Sequence, residues 1–311
     1  MRRLSLFRKE DERALSYPMR EYPKVYNRDG KELKLFYLKD QIMDTYCGSK
    51  YFMWDRCNYG LDIHFYSHNN MLSTKGKPVS KYGVLIESRQ IVPDNYKIFK
   101  RNPGLAAEFE SIFTYDAELL GQLSNARFFP ICSRVWYGMN QDGFTFTWDE
   151  TCHCKKTKGI SILSSDKEMC DMHKLRIAVS RLCRQSGVID AFGTFDGGAY
   201  CLVDDTLKKY RYSIIIENDK SDYFFTEKIT NCFAAQTIPV YLGAEKIDEF
   251  FNEDGIIRVS EKELMNIEEI IQKCTVEYYE EHLEAVLDNY QRVHEYRNVY
   301  DWLYERYFMQ G

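Results

Sequence analysis

Apolar and polar positions alternate regularly over most of the chain. Short apolar runs predict strands at residues 82–86, 111–115, 128–131, 159–163, 188–192, 212–216, 238–242 and 256–259. Segments with helical periodicity predict helices over 172–183 and 226–235, and two or three more towards the end. Strands separated by helix-length segments are typical of βαβ units with a mainly parallel sheet.

The first eighty residues have a different pattern, because they are polar and rich in turn signals such as Asn27–Gly30. Within them, the segment Trp54–Gly60 mixes aromatic and polar side chains. Two interpretations of this segment stay open: it lines a cleft, or it covers the end of a sheet.

A second polar stretch, from Tyr137 to Lys158, separates two patterns of strands and helices. We therefore predict an α/β protein with two Rossmann-like domains and a cleft between them. The expected domains are residues 1–150 and residues 151–285. Residues 286–311 are expected to form a terminal helix that packs back across both domains.

Composition and charge argue against some classes of function. The chain has 311 residues, and its formal net charge of −5 argues against a general nucleic-acid binder, which needs a basic surface. No apolar run reaches the roughly 18 residues of a membrane-spanning helix, and the N-terminus lacks a signal-peptide pattern. We expect a cytoplasmic protein, and a peripheral contact with a membrane surface stays open. The 24 Tyr and 19 Phe either line a sugar or nucleotide cleft or fill the core.

The ten cysteines are scattered, which favours reduced thiols over disulfides in a chain without a secretion signal. One cluster, Cys152, Cys154, Cys170 and His173, has the four soft ligands of a tetrahedral zinc site. Its Cys-x-Cys spacing is unusual for zinc, and we therefore favour unligated thiols and no metal.

The carboxyl end of the most apolar strand carries polar residues. Ligands of open α/β sheets bind beyond such strand ends, and here the strand is followed by Glu217 and Asn218. Thr226 is a suitable N-cap for the next helix, whose first turn would contain Glu227 and Lys228. A cation at a helix N-terminus is unfavourable unless an anion binds there too. The pattern indicates a phosphate site, and the alternative is a solvated lysine.

The same rule selects Glu87, at the end of the strand predicted for residues 82–86. A carboxylate across a cleft from a phosphate site is in the place of a general base. Alternatively, Glu87 pairs with Arg89 at the surface. Arg176, near the start of a helix, would be a second cation for the same anion, or an ordinary surface arginine.

The segment from Tyr212 to Gly243 resembles the motif of α-1,3-fucosyltransferases of glycosyltransferase family 10. Its matching parts are Glu217-Asn218, Tyr223-Phe-Phe-Thr-Glu227-Lys228, and Pro239-Val-Tyr-Leu-Gly, while Ile216 stands where the motif has Phe. Weaker similarity extends to His173–Arg176, Asp190–Gly193, Gly83–Glu87 and Phe113–Asp116.

The resemblance implies a GT-B fold and inverting, metal-independent transfer of fucose from GDP-fucose to a glycan or lipid-linked oligosaccharide. It implies that Arg176 and Lys228 hold the diphosphate, that Asn218 and Glu227 contact the ribose or the sugar, and that Glu87 is the base. Glu217 and Tyr223, within the motif, are also expected to bind the donor. Two alternatives stay open, namely a transferase with another nucleotide-sugar and a non-catalytic protein that binds nucleotide-sugars or glycans. A zinc-organised interaction module is a third.

Overall fold

The computed structural model describes residues 25–40, 49–140, 146–148 and 154–309. Within these residues, twelve strands form two sheets. The strands are β1 (Val25–Arg28), β2 (Lys31–Lys39), β3 (Phe52–Asp55), β4 (Ile63–Ser67), β5 (Ser80–Val84), β6 (Ser111–Thr114), β7 (Ala126–Phe128), β8 (Lys158–Leu163), β9 (Asp190–Phe192), β10 (Tyr210–Ile216), β11 (Ile238–Leu242) and β12 (Ile257–Arg258).

Helices connect the strands and also follow the last strand. They are α1 (Pro93–Tyr96), α2 (Ile98–Arg101), α3 (Ala117–Gln122), α4 (Asp171–Ser186), α5 (Val203–Leu207), α6 (Glu227–Ala234), α7 (Glu261–Leu264), α8 (Ile267–Lys273), α9 (Val276–Glu281), α10 (Leu283–Arg292) and α11 (Val299–Tyr307). Among these elements, no helix is long and apolar enough to span a membrane.

The first sheet has the order β1-β2-β4-β5-β6-β7, with β3 also paired to β2, and every pair except β1–β2 is parallel. Four of its strands lie in the first eighty residues, for which turns were expected. That expectation was wrong, because β2 carries charged side chains that hide its apolar face from a periodicity argument. Trp54 lies in β3 and is 7% exposed, so its ring fills the core and does not line a cleft.

The second sheet has the order β12-β11-β10-β8-β9 and is parallel throughout. Both faces of β10 and β11 are covered, and nearly all their side chains are buried, as their continuous apolar sequences predict. Strand β11 has the predicted bounds, and α4 and α6 differ from the predicted helices by a few residues at most.

Aromatic packing connects the C-terminus to the first sheet. Tyr300 and Tyr304 of α11 pack against Phe36, Phe52 and Trp54 of that sheet. Much of the aromatic surplus therefore fills a core. Two parallel-sheet α/β units with a cleft and C-terminal helices are thus confirmed, while the exact domain bounds stay predictions.

Candidate functional site

A cavity of about 770 Å³ lies between the two sheets, a size typical of small-ligand sites. From the first half of the chain it is lined by Glu87, Cys132, Trp136 and Met139. From the second half it is lined by residues of β8, β10, α4, α5, α6 and the adjoining loops. The cavity thus lies beyond the carboxyl ends of parallel strands, where ligands of such folds bind.

A buried carboxylate anchors the N-terminus of α6. Glu217 follows β10, has no exposed surface, and accepts hydrogen bonds from the Thr226 amide (2.9 Å) and the Thr226 hydroxyl (2.7 Å). Thr226 in turn caps α6 by accepting from the Lys228 amide at 3.3 Å, as predicted. Strand end and helix start are therefore fixed to each other by one side chain.

The same carboxylate holds the Lys228 ammonium. Lys228 Nζ lies 3.3 Å from Glu217 Oε2, 3.3 Å from Glu227 Oε1 and 2.9 Å from Thr226 Oγ1. Burial lowers the pKa of Lys228, but the carboxylates of Glu227 and Glu217 outweigh it, so the pKa is raised overall and the ammonium stays charged. Burial raises the pKa of Glu217, and Lys228 opposes this rise.

Arg176 is a buried cation of a different kind. It projects from α4, is 6% exposed, and donates to the Ile216 carbonyl at 2.8 Å. Across the described part of the chain, no carboxylate lies within 4.0 Å of its guanidinium. Burying this cation without a direct carboxylate contact is costly: burial lowers the pKa of Arg176, and the charges of Glu217 and Glu227 oppose the shift only in part. Since Arg176 lines the cavity, an anionic ligand would provide the missing partner.

His173 and Arg176 together orient Asn218. His173 Nδ1 accepts from the Met169 amide at 3.1 Å, and burial and Arg176 lower the pKa of His173 to about 4. The neutral ring therefore carries its hydrogen on Nε2 and donates to Asn218 Oδ1 at 2.9 Å. Arg176 also approaches Oδ1, at 3.4 Å. With Oδ1 occupied by two donors, the amide nitrogen of Asn218 is the group left for a ligand.

Glu87 lies on the opposite wall, just after β5. Its Oε1 accepts from the Ser88 amide at 2.9 Å. The alternative of a surface pair with Arg89 was wrong, because Arg89 makes a two-point contact with Asp116, both bonds 2.8 Å long, and a further pair with Glu118. Glu87 is thus a cavity carboxylate, and Arg89, the cation two residues further along the chain, is engaged by other carboxylates.

Cys132 lies between the two walls. Its thiol donates to the Ile86 carbonyl at 3.0 Å and lines the cavity. Burial raises its pKa, and the charges of Glu87 and Glu227 raise it further. Glu87 of the first half and Glu227 of the second half therefore both lie near the Cys132 thiol.

Five of the seven sequence-predicted site residues line this cavity: Glu87, Arg176, Asn218, Glu227 and Lys228. Glu217 lies behind the wall, where it anchors Thr226 and Lys228. Tyr223 points elsewhere: its ring packs against Phe128 and Phe250, and its hydroxyl accepts from Lys246 at 3.3 Å. Which donor atoms each residue meets stays a prediction.

Sequence reasoning missed several lining groups. Tyr200 is 82% exposed in the loop before α5, and Asp204 accepts from the Gly138 amide at 3.1 Å across the two halves. No local pattern distinguishes either residue from an ordinary loop or helix side chain, since each reaches the cavity through tertiary folding.

The cysteine and histidine cluster considered for zinc lies partly outside the described residues, because Cys152 does. Among residues that are described, no group of three or more His, Cys, Asp or Glu could hold a metal ion. Both ring nitrogens of His173 are already hydrogen-bonded, and the Cys170 thiol donates to the Asn218 carbonyl at 3.7 Å.

The chain has sequence relatives. Residues 147–306, slightly more than half of the chain, match the family model for the C-terminal part of glycosyltransferase family 10 (fucosyltransferase). An α-(1,3)-fucosyltransferase FucT of Helicobacter pylori is 28% identical over 85 residues. That match covers 27% of this chain and 17% of the relative, so it spans less than a fifth of the relative's length.

Two solved structures have similar folds. One is an α1,3-fucosyltransferase with GDP, with a TM-score of 0.50 and 11% identity over 86% of this chain and 92% of that chain. The other is TarM, with a TM-score of 0.50 and 12% identity over 78% of this chain and 53% of that chain. At such identities the likeness concerns the fold alone, and it confirms the predicted GT-B arrangement.

Proposed function

The chain belongs to glycosyltransferase family 10, and from this premise we propose that it is an inverting fucosyltransferase. In this proposal, L-fucose passes from GDP-fucose to a glycan hydroxyl, with α-1,3-type specificity. The second half of the chain binds the donor and the first half faces the acceptor. The acceptor is a glycan or a lipid-linked oligosaccharide, the latter with a peripheral membrane contact.

The proposal rests mainly on one observation: a buried cation, Arg176, a partly buried cation, Lys228, and a separate carboxylate line the same cavity from opposite walls. Arg176 and Lys228 suit a diphosphate, because a guanidinium without a carboxylate partner and an ammonium at a helix N-terminus both favour an anion. Glu87 lies apart from both and has one carboxylate oxygen engaged by Ser88.

The proposed reaction is a single displacement. Glu87 removes the proton of the acceptor hydroxyl, and this oxygen bonds to the anomeric carbon of the donor. The bond from that carbon to the diphosphate oxygen breaks on the opposite face, so the configuration inverts. Lys228, Arg176 and the N-terminus of α6 stabilise the negative charge that develops on the departing GDP. We propose that these charges supply the stabilisation without a bound metal.

A donor screen tests the first half of this proposal. Thermal unfolding is followed with GDP-fucose, GDP-mannose and several UDP-sugars, since a ligand that binds the folded state raises the unfolding temperature. We expect stabilisation by the GDP compounds, and more by GDP-fucose than by GDP-mannose. A response to UDP-sugars alone would contradict the donor assignment.

A transfer assay tests the second half. GDP-fucose is offered with a panel of disaccharides that have a free 3-hydroxyl, with and without EDTA. We expect transfer that EDTA does not reduce. Donor binding without transfer to any acceptor or to water would instead support a non-catalytic binding protein of the same fold.

A further inference from the structure

Two buried tyrosines hold the backbone on either side of the turn after Glu87. Tyr96 of α1 and Tyr115, just after β6, are 4% and 3% exposed. Tyr96 Oη donates to the Glu87 carbonyl at 2.6 Å, and Tyr115 Oη accepts from the Arg89 amide at 3.0 Å. The two hydroxyl oxygens lie 2.9 Å apart. The hydroxyl pair therefore bridges Glu87 and Arg89.

The hydrogens of the two hydroxyls account for the contacts within this bridge. Each hydroxyl has one hydrogen, and the 2.6 Å bond to Glu87 uses that of Tyr96. The hydrogen of Tyr115 is left for Tyr96 Oη or for the same carbonyl, 3.3 Å away. Burial raises the pKa of both hydroxyls, so both keep their hydrogens. Hydrogen bonds in such a chain strengthen one another in a low-dielectric interior.

The chain of hydroxyls also touches the other half of the molecule. The ring of Tyr115 packs against Phe224, with centroids 4.7 Å apart. Phe224 is 1% exposed, lines the cavity, and precedes the Thr226 cap of α6 by two residues. The turn that carries Glu87 is thus packed, through Tyr115, against the segment that carries Lys228.

We propose that Tyr96 and Tyr115 are positioning residues that set the place of Glu87 relative to the acceptor hydroxyl. This proposal rests on the proposed function. Among the residues that line the described cavity neither tyrosine appears, so both act through the backbone of Glu87. A shift of about 1 Å at a reacting group lowers a rate by up to about 100-fold.

The test compares Tyr96→Phe and Tyr115→Phe with Tyr279→Phe. Tyr279 is an equally buried tyrosine whose hydroxyl donates to the Gln236 carbonyl at 2.8 Å, at the amino end of β11 and away from the cavity. Tyr279→Phe loses one buried hydrogen bond, whereas Tyr96→Phe and Tyr115→Phe each lose at least two, so all three should lower the unfolding temperature and the first two somewhat more. Single-turnover transfer from GDP-fucose to the best disaccharide acceptor should fall roughly 10- to 100-fold in the first two alone.

Two further readouts separate positioning from general damage. The dissociation constant of GDP-fucose should stay within twofold of wild type, because Tyr115→Phe keeps the ring contact with Phe224. Amide exchange in peptides covering residues 86–90 should become faster in Tyr96→Phe and Tyr115→Phe and stay unchanged in Tyr279→Phe.

Transfer rates and exchange equal to those of Tyr279→Phe would overturn the proposal while leaving the fucosyltransferase assignment intact. A wild-type protein that transfers no sugar would overturn the assignment, and the exchange data alone would then decide whether the hydroxyl pair holds the turn. Unchanged exchange at residues 86–90 counts against the pair in either case.

Discussion

The two walls of the cavity hold their charged groups in different ways. On the donor wall, Lys228 and Glu217 compensate each other, and the carboxylate also accepts two hydrogen bonds from Thr226. On the opposite wall, no ion pair holds Glu87 within the described residues. The neutral hydroxyl of Tyr96 holds its backbone carbonyl, and the Ser88 amide holds its side chain.

This difference suits the two chemical tasks. A group that binds a diphosphate throughout the reaction can be fixed by a partner charge. A base has to gain a proton, and a cation paired with it would make the carboxylate less basic. Arg89 does not pair with Glu87, because it is already bound to Asp116 and Glu118.

The largest effect is expected for Glu87→Gln. The amide keeps the shape of the side chain but cannot accept the acceptor's proton, so single-turnover transfer should fall roughly 10²- to 10⁴-fold. GDP-fucose should bind as before, because the donor wall is unchanged. The control is Glu118→Gln, an exposed carboxylate of the same half that pairs with Arg89. Wild-type transfer by Glu87→Gln would place the base elsewhere.

Removing either of the two proposed donor-binding cations, Arg176 and Lys228, should lower the stability of the protein by a different amount. Lys228→Met leaves the buried Glu217 without its cation, and we expect a loss of roughly 2–4 kcal/mol in the free energy of unfolding. Arg176→Met leaves no carboxylate unpaired and loses mainly the bond to the Ile216 carbonyl, so the loss should be about 1 kcal/mol.

Urea unfolding without ligand measures both losses, and calorimetry with GDP measures binding. Affinity should fall roughly 10-fold or more in each variant, because each removes a charge-assisted contact. Equal stability losses would mean that Arg176 has an anionic partner within the protein. Unchanged GDP binding by both variants would remove the diphosphate assignment.

A pH dependence follows from three buried histidines, His64 and His68 in the first half and His173 in the second. Burial lowers the pKa of each from 6.5 to about 4. Between these values the unfolded chain binds more protons than the folded protein, so the free energy of unfolding falls as the pH falls. Each histidine should lower the free energy of unfolding at pH 5 by about 1–2 kcal/mol relative to pH 7.

Urea unfolding at pH 7 and pH 5 measures this loss. In His173→Gln, the loss of unfolding free energy between pH 7 and pH 5 should be smaller by the contribution of one histidine. The contributions of His64 and His68 should stay the same. A stability that does not change over this range would mean that the rings are solvated or paired when protonated.

Only part of the fold and of the site can be predicted from local sequence patterns. Strand β11, helix α6 and the cap Thr226 follow from local periodicity and cap chemistry. The strand-end rule selects Glu87 and Asn218, and the position of a cation at a helix N-terminus selects Lys228. Strands β2 and β3 do not follow from local patterns, because their apolar face is buried by α11, which lies far along the chain. Phe36 meets Tyr304 with ring centroids 6.3 Å apart, although the two are far apart along the chain.

The residues that hold the site residues in place cannot be predicted from local patterns either, because their role depends on tertiary contacts. Glu217 has the same chemistry as a donor-binding carboxylate, and only its complete burial identifies it as an anchor. Tyr96 and Tyr115 become recognisable when their hydroxyls are seen 2.9 Å apart beside Glu87. Local patterns identify groups that face a ligand more readily than groups that hold them.

The smallest effect is expected for Tyr223→Phe. This residue belongs to the donor motif, yet its hydroxyl only accepts from the half-exposed Lys246 at 3.3 Å, and its ring packs against Phe128 and Phe250. A hydrogen bond at an exposed site contributes little, and phenylalanine keeps the ring contacts. GDP-fucose affinity and transfer should therefore stay within about twofold of wild type, as measured by calorimetry and single turnover. A loss of tenfold or more would mean that the donor wall extends beyond the cavity to Tyr223, and that loop 219–225 moves when the donor binds.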